Sequence, residues 1–593
     1  MSMKSTLTLF CCTIVSLFMF GAEPPNVVIF LADDAGWGDY SFSGNRQLAT
    51  PNIDSIARGG VSFDRFYVSP VCSPTRAEFL TGRYHSRMGV TGTSAAQERM
   101  DLGEKTLADA FQAAGYATGA FGKWHNGSQW PYHPMARGFD EYFGHAAGHW
   151  GEYFDAPLEE NGRMVETKGY IVDVCTDRAL AFIEKNRAGP FFCYVPFTTP
   201  HSPWAVPEAD WNRFKAMPIT QRSYNQKQEV DDHTRCALAM VENQDMNVGR
   251  VLAKLAELGV DDNTIVVYFS DNGPNSYRWN GGMKGRKGST DEGGLRSVCY
   301  IRWPATIPAG HTITQISGAI DLLPTLTALA AVTRVGDKPL DGRNLTPLLM
   351  QEAAEWPGHR HFSTWKGRVS VRTQTHRLDD DGKLYDMVAD PGQTKPVNAQ
   401  EPVLAAELQG AVDGWRTAMF GHSKTLDNLG NAVDPRPITV GYREFPITML
   451  PARDGEGRGG VERSARAPNS SYFVNWKNLS DSMEWLIDVH TAGRYDVSVD
   501  YTCRVPDAGS TVELSFQGAK LQGKVTPGWD PPLNTNQDTL PRPGGESQMK
   551  PFSTLQLGHM DLAAGVGPLI LRAVEIPGQS VMDVRRITLT LQP

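Results

Sequence analysis

The sequence predicts an α/β fold, with a mostly parallel sheet covered by helices, a smaller C-terminal subdomain and an added all-β sandwich. Three observations carry this. From Asn26 to about Ala331, apolar strand-like runs alternate with helix-like segments. The runs NVVIFLAD, PFFCYVPF and TIVVYFSD are apolar throughout, so both faces of the sheet must be covered. Beyond about Asp434 the helical period gives way to short alternating runs, among them EWLIDV, RYDVSVDYTC, TVELSF and RITLTL, the pattern of an antiparallel sandwich. A chain of 593 residues also exceeds what one core normally serves. The expected division is 1–22 as a leader, 23–355 as the α/β unit, 356–430 as the subdomain and 434–593 as the sandwich.

The leader comes first. One Lys, an apolar stretch from Leu7 to Phe20 and the small residues Gly21 and Ala22 make a signal peptide, with an uncleaved anchor as the alternative. The stretch is short for a span of roughly 20 residues, so the expectation is an exported protein, periplasmic or secreted, without stable membrane insertion. Apolar content of 40%, charged content of 21% and a net charge of -9 suit a globular protein and give no reason to expect nucleic acid. An anionic substrate is disfavoured by net charge alone, yet a pocket can carry the opposite sign locally.

Along the α/β unit, VSFDRFYV and VCYIRW add strand-like runs. EKTLADAFQAAG starts a helix-like segment at Glu104, and Val248, Val251, Leu252, Leu255 and Leu258 form an apolar stripe at helical spacing. Four cysteines in these elements, Cys175, Cys193, Cys236 and Cys299, are expected to be buried free thiols. With few cysteines and no paired spacing, the chain is not a disulfide scaffold. From about Trp356 to Leu429 a strand-like KLYDMV and a short helical run form the subdomain, and a Pro- and Gly-rich stretch leads to the sandwich.

In such sheets ligands bind beyond the carboxyl ends of the strands. Two apolar strands end there in acidic clusters, Asp33-Asp34 and Asp271-Asn272. Each alone is a turn signal. Together they form a set of hard oxygen donors suited to Ca²⁺ or Mg²⁺. Cys72 opens CSPTRAEFLTGR, where Pro74 suits a first helical turn and Arg76 adds a fork for an oxyanion. A thiol there is an ordinary cysteine before a helix, a thiolate nucleophile in need of a base, or the precursor of another group. Lys123 and His125 in GKWHNG, His201 in TTPHSPW, and Lys284, Arg286 and Lys287 in GGMKGRKGSTDEGG add cations at the same edge.

CSPTR followed by AEFLTGR resembles the signature of type I sulfatases, in the alkaline phosphatase-like superfamily. LADDAGWGD, GKWH, TPH, SDNG and KGSTDEGG resemble that family's other blocks, in its order, over roughly Asn26 to Gln400. The resemblance implies that Cys72, within Cys-x-Pro-x-Arg, is oxidised to Cα-formylglycine by a maturation enzyme. It further implies a hydrated aldehyde that attacks sulfur through a covalent sulfo-enzyme intermediate. It implies Ca²⁺ held by Asp33, Asp34, Asp271, Asn272 and the modified Cys72. Arg76 and Lys123 would hold the diol, His125 would assist its deprotonation, and His201 and Lys287 would bind sulfate and protonate the departing alcohol. The loop departs from the usual Arg-Gly-Gly-Lys-Gly; alignment to the following Glu-Gly-Gly favours Lys287 for the sulfate role, with Lys284 as the alternative, and Asn126 stands where an apolar residue is common.

The expected activity is hydrolysis of sulfate esters, with a sulfated carbohydrate as substrate. The rivals are phosphodiester or phosphonate hydrolysis within the same superfamily and a catalytically silent carbohydrate-binding protein. The sandwich loosely resembles carbohydrate-binding jelly rolls, against a structural role that only covers the α/β unit. Trp150 and Trp204 either stack on a sugar ring or pack in the core.

Overall fold

The computed structural model describes residues 23–352, 355–421 and 432–593. The expected leader, 1–22, lies outside the described residues. Among those described, no helix is long and apolar enough to cross a membrane.

A ten-stranded sheet organises the α/β unit. Its order is His311–Ile313, Val61–Phe63, Cys299–Arg302, Thr264–Ser270, Asn26–Ala32, Phe191–Pro196, Ala117–Lys123, Glu141–His145, Leu158–Glu160 and Arg163–Val165. The five strands from Thr264–Ser270 to Glu141–His145 run parallel to one another, and the pairings at both flanks are mostly antiparallel. The unbroken apolarity of residues 27–32 in the strand Asn26–Ala32 has a direct cause. Val28 and Phe30 enter one core with the helices Pro51–Arg58, Ile171–Asn186 and Asp231–Glu257. Val27, Ile29 and Leu31 enter a second core with Cys72–Thr81, Leu107–Ala113 and Leu322–Leu329. Side chains of a strand alternate between faces, so a strand feeding two cores leaves no interior position for a polar residue, and Asn26 stands only at its start, where its side chain accepts from Phe191 N.

Two elements differ from expectation for local reasons. VSFDRFYV divides into Val61–Phe63 in the large sheet and Phe66–Tyr67 in a separate three-stranded sheet. The break falls at Asp64 and Arg65, where Arg296 takes the Asp64 carboxylate at 2.7 Å. The helix expected from Glu104 begins at Leu107, because Thr106 caps it by accepting from Asp109 N while the Asp109 side chain returns the bond.

A four-stranded antiparallel sheet, His361–Trp365 to Leu384–Asp386, carries the helix Pro402–Phe420 and shares a core with it. Beyond it, two six-stranded sheets enclose a core built around Trp485, Tyr495 and Leu571. Burial alternates along Ser482–Val489 and Ser553–Leu562, as a half-buried sheet requires. One sandwich pairing, Ile438–Val440 with Ser482–Val489, is parallel. The connection between the strands Ala519–Lys524 and Ser553–Leu562 reaches the α/β unit. There Thr539 N donates to Trp204 O at 2.8 Å, and Arg542 Nη2 donates to Gly151 O at 2.7 Å.

The glycine-rich loop is tied to the four-stranded sheet through Glu292. Its carboxylate meets Arg377 at 2.7 Å and Arg372 at 3.4 Å, and accepts from Tyr67 Oη at 2.8 Å, all buried. Burial alone would raise the Glu292 pKa, but Arg372 and Arg377 outweigh it and hold the carboxyl at about 2. A depressed carboxylate stabilises the fold above its ordinary pKa, and that stability is lost as pH falls from about 4.5 toward 2. Glu292→Gln leaves two buried guanidinium groups without their anion, so thermal or denaturant unfolding at neutral pH is expected to show a loss of about 3–5 kcal/mol. The gap from wild type should narrow as the pH drops below 4.

Candidate active site

Five parallel strands deliver their last residues, or the loops that follow, to one edge of the sheet. Asn26–Ala32 leads to Asp33 and Asp34, and Thr264–Ser270 to Asp271 and Asn272. Ala117–Lys123 ends at Lys123 and leads to His125. Phe191–Pro196 leads to His201, and Glu141–His145 to His149. Ala32 is in register with Ser270, which sets Asp33 and Asp271 level.

The carboxylates are packed closely and buried. Donor atoms of Asp33, Cys72 and Asp271 lie within 4.8 Å of one another. Asp34 takes φ +68°, an uncommon turn for a non-glycine residue. Its backbone N–H donates to Asp271 Oδ1 at 3.1 Å, and its Oδ1 accepts from Asn272 Nδ2 at 2.8 Å. Asp34 lies outside the mutually close set, because its carboxylate is engaged by Lys287 at 2.7 Å and faces His201 Nε2 at 3.5 Å. Asp33 Oδ1 and Asn272 Oδ1 are buried and have no hydrogen-bond partner among the described residues. Buried oxygens left bare are costly, and a hard cation is the group that carboxylate and amide oxygens satisfy best. The donor set fits a divalent metal held by Asp33, Asp271 and Asn272, with Cys72 adjacent.

Three permanent cations balance the three carboxylates. Arg76 donates through Nε and Nη2 to Asp271 Oδ2 at 3.0 and 2.8 Å, and through Nη1 to Lys123 O at 2.7 Å. Lys123 Nζ lies 2.7 Å from Asp33 Oδ2. Lys287 Nζ sits on Asp34, whose carboxylate outweighs burial and keeps the ammonium charged. Burial works against the Asp34 carboxylate too, but Lys287, His201 and Lys123 hold it well below the usual range.

Cys72 is the first residue of the helix Cys72–Thr81, whose N-cap, Val71, has no capping side chain, so its first N–H groups point to an anion. Burial pushes the Cys72 thiol up, outweighing Lys123 and Lys287. A protonated thiol is a poor nucleophile. Thr75 fastens this helix to the acidic strand end, donating from Oγ1 to Asp271 O at 2.6 Å.

The two histidines are held in defined tautomers. His125 Nε2 faces Thr93 O at 2.8 Å, and a carbonyl only accepts, so the proton is on Nε2. Its Nδ1, buried and without a partner among the described residues, keeps the lone pair. Burial, then Lys123, holds His125 well below the usual histidine range. His201 Nδ1 faces Ser202 O at 2.6 Å, and burial, then Lys287, brings its pKa down to about 4.

Other candidates lie elsewhere. Lys284 Nζ pairs with Asp291 at 3.1 Å and stands over the Tyr385 ring, and Arg286 stacks on Tyr277. Neither reaches the carboxylates. Trp204 is buried against His233 and packs within the protein, whereas Trp150, half-buried, stacks on His145 beneath Arg585 and lines a cavity. Cys175, Cys193, Cys236 and Cys299 are free and buried. Asn126 donates to Ser73 O at 3.2 Å, beside Cys72. Sequence reasoning passed over Thr75, although it lies inside CSPTR, and His149, one residue before Trp150. It also passed over Glu546, in a Pro- and Gly-rich stretch without periodicity. Gly148 and Gly151 flank His149 for a steric reason: a Cβ at Gly148 would come within 2.0 Å of His125 Nε2, and one at Gly151 within 2.5 Å of Met549.

Residues 25–332 match the family model described as Sulfatase. Over 473 residues, 68% of this chain and 86% of the relative, the chain is 30% identical to N-acetylgalactosamine-6-sulfatase of Homo sapiens. It is 27% identical to steryl-sulfatase of Mus musculus over 70% of this chain and 85% of that one. The solved structure of Ps i-CgsB in complex with k-i-k-neocarrahexaose is similar at a TM-score of 0.60 and 28% identity, covering 68% of this chain and 94% of that one.

The bare oxygens give a direct test of the metal. Protein stripped with a chelator and titrated with Ca²⁺ should melt at a higher temperature, with about 2.7 kcal/mol gained at a hundredfold excess over Kd. Asp33→Asn should lose most of that gain. An equal gain in the variant would place the ion elsewhere.

Proposed function

Because this chain belongs to the type I sulfatase family of the alkaline phosphatase-like superfamily and is a sulfuric ester hydrolase, we propose that it removes sulfate from a sulfated carbohydrate, using an oxidised Cys72 beside a bound Ca²⁺. The observation that carries this is the meeting of Cys72, three carboxylates and three fixed cations at one sheet edge. The carbohydrate is supported by the relatives, one a sulfatase of an N-acetylgalactosamine 6-sulfate, another solved with a neocarrahexaose. Export follows the apolar leader, and a formylglycine-generating enzyme is the maturation partner that Cys72-Ser73-Pro74-Thr75-Arg76 would recruit.

The protonated thiol is unsuited to attack, whereas formylglycine, once hydrated, supplies an oxygen nucleophile in its place. Ca²⁺ would be held by Asp33, Asp271, Asn272 and the modified Cys72, with Asp34 joining them if its carboxylate turns from Lys287, and when bound supplies positive charge that orients that oxygen and offsets charge on the ester. The chain's own groups do the rest. Three cations only balance three carboxylates, so the site becomes an anion pocket when a divalent charge is added. Arg76 fixes Asp271 and the end of the Lys123 strand, and Lys123 stands on Asp33 at the thiol's edge. His125, neutral with Nδ1 bare, is the base that takes a proton from the attacking hydroxyl. Lys287 and His201 lie on the side open to solvent, at 21% and 15% side-chain exposure. Lys287 neutralises the sulfate oxygens, and His201, neutral in the free site with its proton on Nδ1, protonates the departing alcohol from Nε2 only after the negative charge of the bound ester has drawn a proton onto that atom.

Cys72→Ala should abolish turnover of para-nitrophenyl sulfate without changing the unfolding transition by more than about 1 kcal/mol, because one small side chain is removed at a helix start. Mass spectrometry of the active protein should show an aldehyde or its hydrate at position 72; full activity with an intact thiol would overturn the nucleophile. Lys287→Ala should lower kcat/KM by about 10²–10³, the scale for losing one charge-stabilising group, whereas Lys284→Ala should change it less than about threefold. An aryl phosphodiester assayed in parallel, if hydrolysed faster than the sulfate, would favour the phosphorus-directed rival.

A further inference from the structure

The sandwich reaches groups that border the charged cluster. Asn469 Nδ2 donates to Thr93 O at 2.9 Å, the same carbonyl that meets His125 Nε2. Ser470 Oγ donates to His149 O at 3.1 Å. Glu546, on the connection between the strands Ala519–Lys524 and Ser553–Leu562, accepts from Ser202 Oγ through Oε1. Its Oε2 lies 3.5 Å from His149 Nε2. The His149 ring stands 5.1 Å from that of His201, which in turn faces Asp34.

Several of these atoms lack a hydrogen bond, although Glu546 Oε2 and His149 Nε2 face each other at ion-pair distance. Both ring nitrogens of His149 and Oε2 of Glu546 are buried without a hydrogen-bond partner among the described residues, and His149 is only 7% exposed. Leaving such atoms without a hydrogen bond costs about 1–3 kcal/mol each, and the ring that carries two of them stands beside His201. A neutral imidazole offers one donor and one acceptor, and a carboxylate offers acceptors alone. That set complements hydroxyl groups, which donate and accept, and repels a sulfate, which only accepts.

We propose that Glu546 and His149 form a subsite that binds hydroxyl groups of the sugar bearing the sulfate, so that the sandwich supplies part of the substrate specificity. The inference rests on the carbohydrate reading above. Glu546 fixes which ring positions can turn toward the sandwich. Its charge also excludes a second sulfate or a carboxylate from that side, while the ester sulfate sits on Lys287.

The test is Glu546→Gln in the full chain, assayed on N-acetylgalactosamine 6-sulfate, a neocarrahexaose and para-nitrophenyl sulfate. On the saccharide that wild type hydrolyses, kcat/KM should fall about 10–100-fold, the range for losing hydrogen bonds to a charged group, mainly through KM. The aryl ester should lose less than about threefold, and Glu546→Asp should recover part of the saccharide rate. Equal losses on both substrates together with a lower melting temperature would show that Glu546 merely braces the domains and overturn the proposal, as would unchanged saccharide kinetics. Wild type that hydrolyses the aryl ester but neither saccharide would instead overturn the carbohydrate reading, and this inference with it.

Discussion

The structure depends on a single electrostatic constraint: Asp33, Asp34 and Asp271 are buried side by side at the ends of two adjacent strands. Isolated carboxylates in such a place would be neutralised rather than tolerated. Each therefore has a cation delivered by a different element. Arg76 comes from the Cys72 helix, Lys123 from a neighbouring strand and Lys287 from the glycine-rich loop. The pairing determines where these elements can lie, and it leaves Asp33 Oδ1 and Asn272 Oδ1 bare. The arrangement is satisfied as protein alone in charge, but not in hydrogen bonding.

This constraint extends outward through the loop that carries Lys287. Glu292 at its far end is clamped by Arg372 and Arg377 of the four-stranded sheet, and Gln393 Oε1 accepts from Glu292 N at 2.7 Å. The small sheet thereby holds the loop from behind while Asp34 holds it in front. On the opposite side, the sandwich closes over the segment containing Gly148, His149 and Gly151. The groups around Cys72 thus have a wall from each of the two C-terminal parts of the chain.

Much of this was legible in the sequence, for physical reasons. Strands apolar on both faces, such as NVVIFLAD, can only be central and covered, so the sheet and its functional edge followed. Acidic residues directly after two such strands, with a cysteine and arginine four apart at a helix start, could be placed without coordinates. What escaped was non-local or irregular. The break in VSFDRFYV depends on Arg296, more than two hundred residues away. The preference for Lys287 over Lys284 could be drawn from the following Glu-Gly-Gly, but its contact with Asp34 depends on the turn of a loop whose glycines adopt left-handed φ values. Glu546 lies in a stretch with no periodicity, and its position is fixed by contacts with Ser202 and His149 rather than by any local pattern.

Cys72 is 2% exposed and Arg76 is fully enclosed, with its guanidinium bonded inside the α/β unit. The five-residue word they frame is therefore hidden in the finished molecule. A modifying enzyme that must grip both the cysteine and the arginine can do so only while this stretch is still an open peptide. If Cys72 is converted as proposed, burial fixes the order of events in biosynthesis: the chemical edit would come before closure, and a molecule that closed first would be sealed with its thiol unconverted.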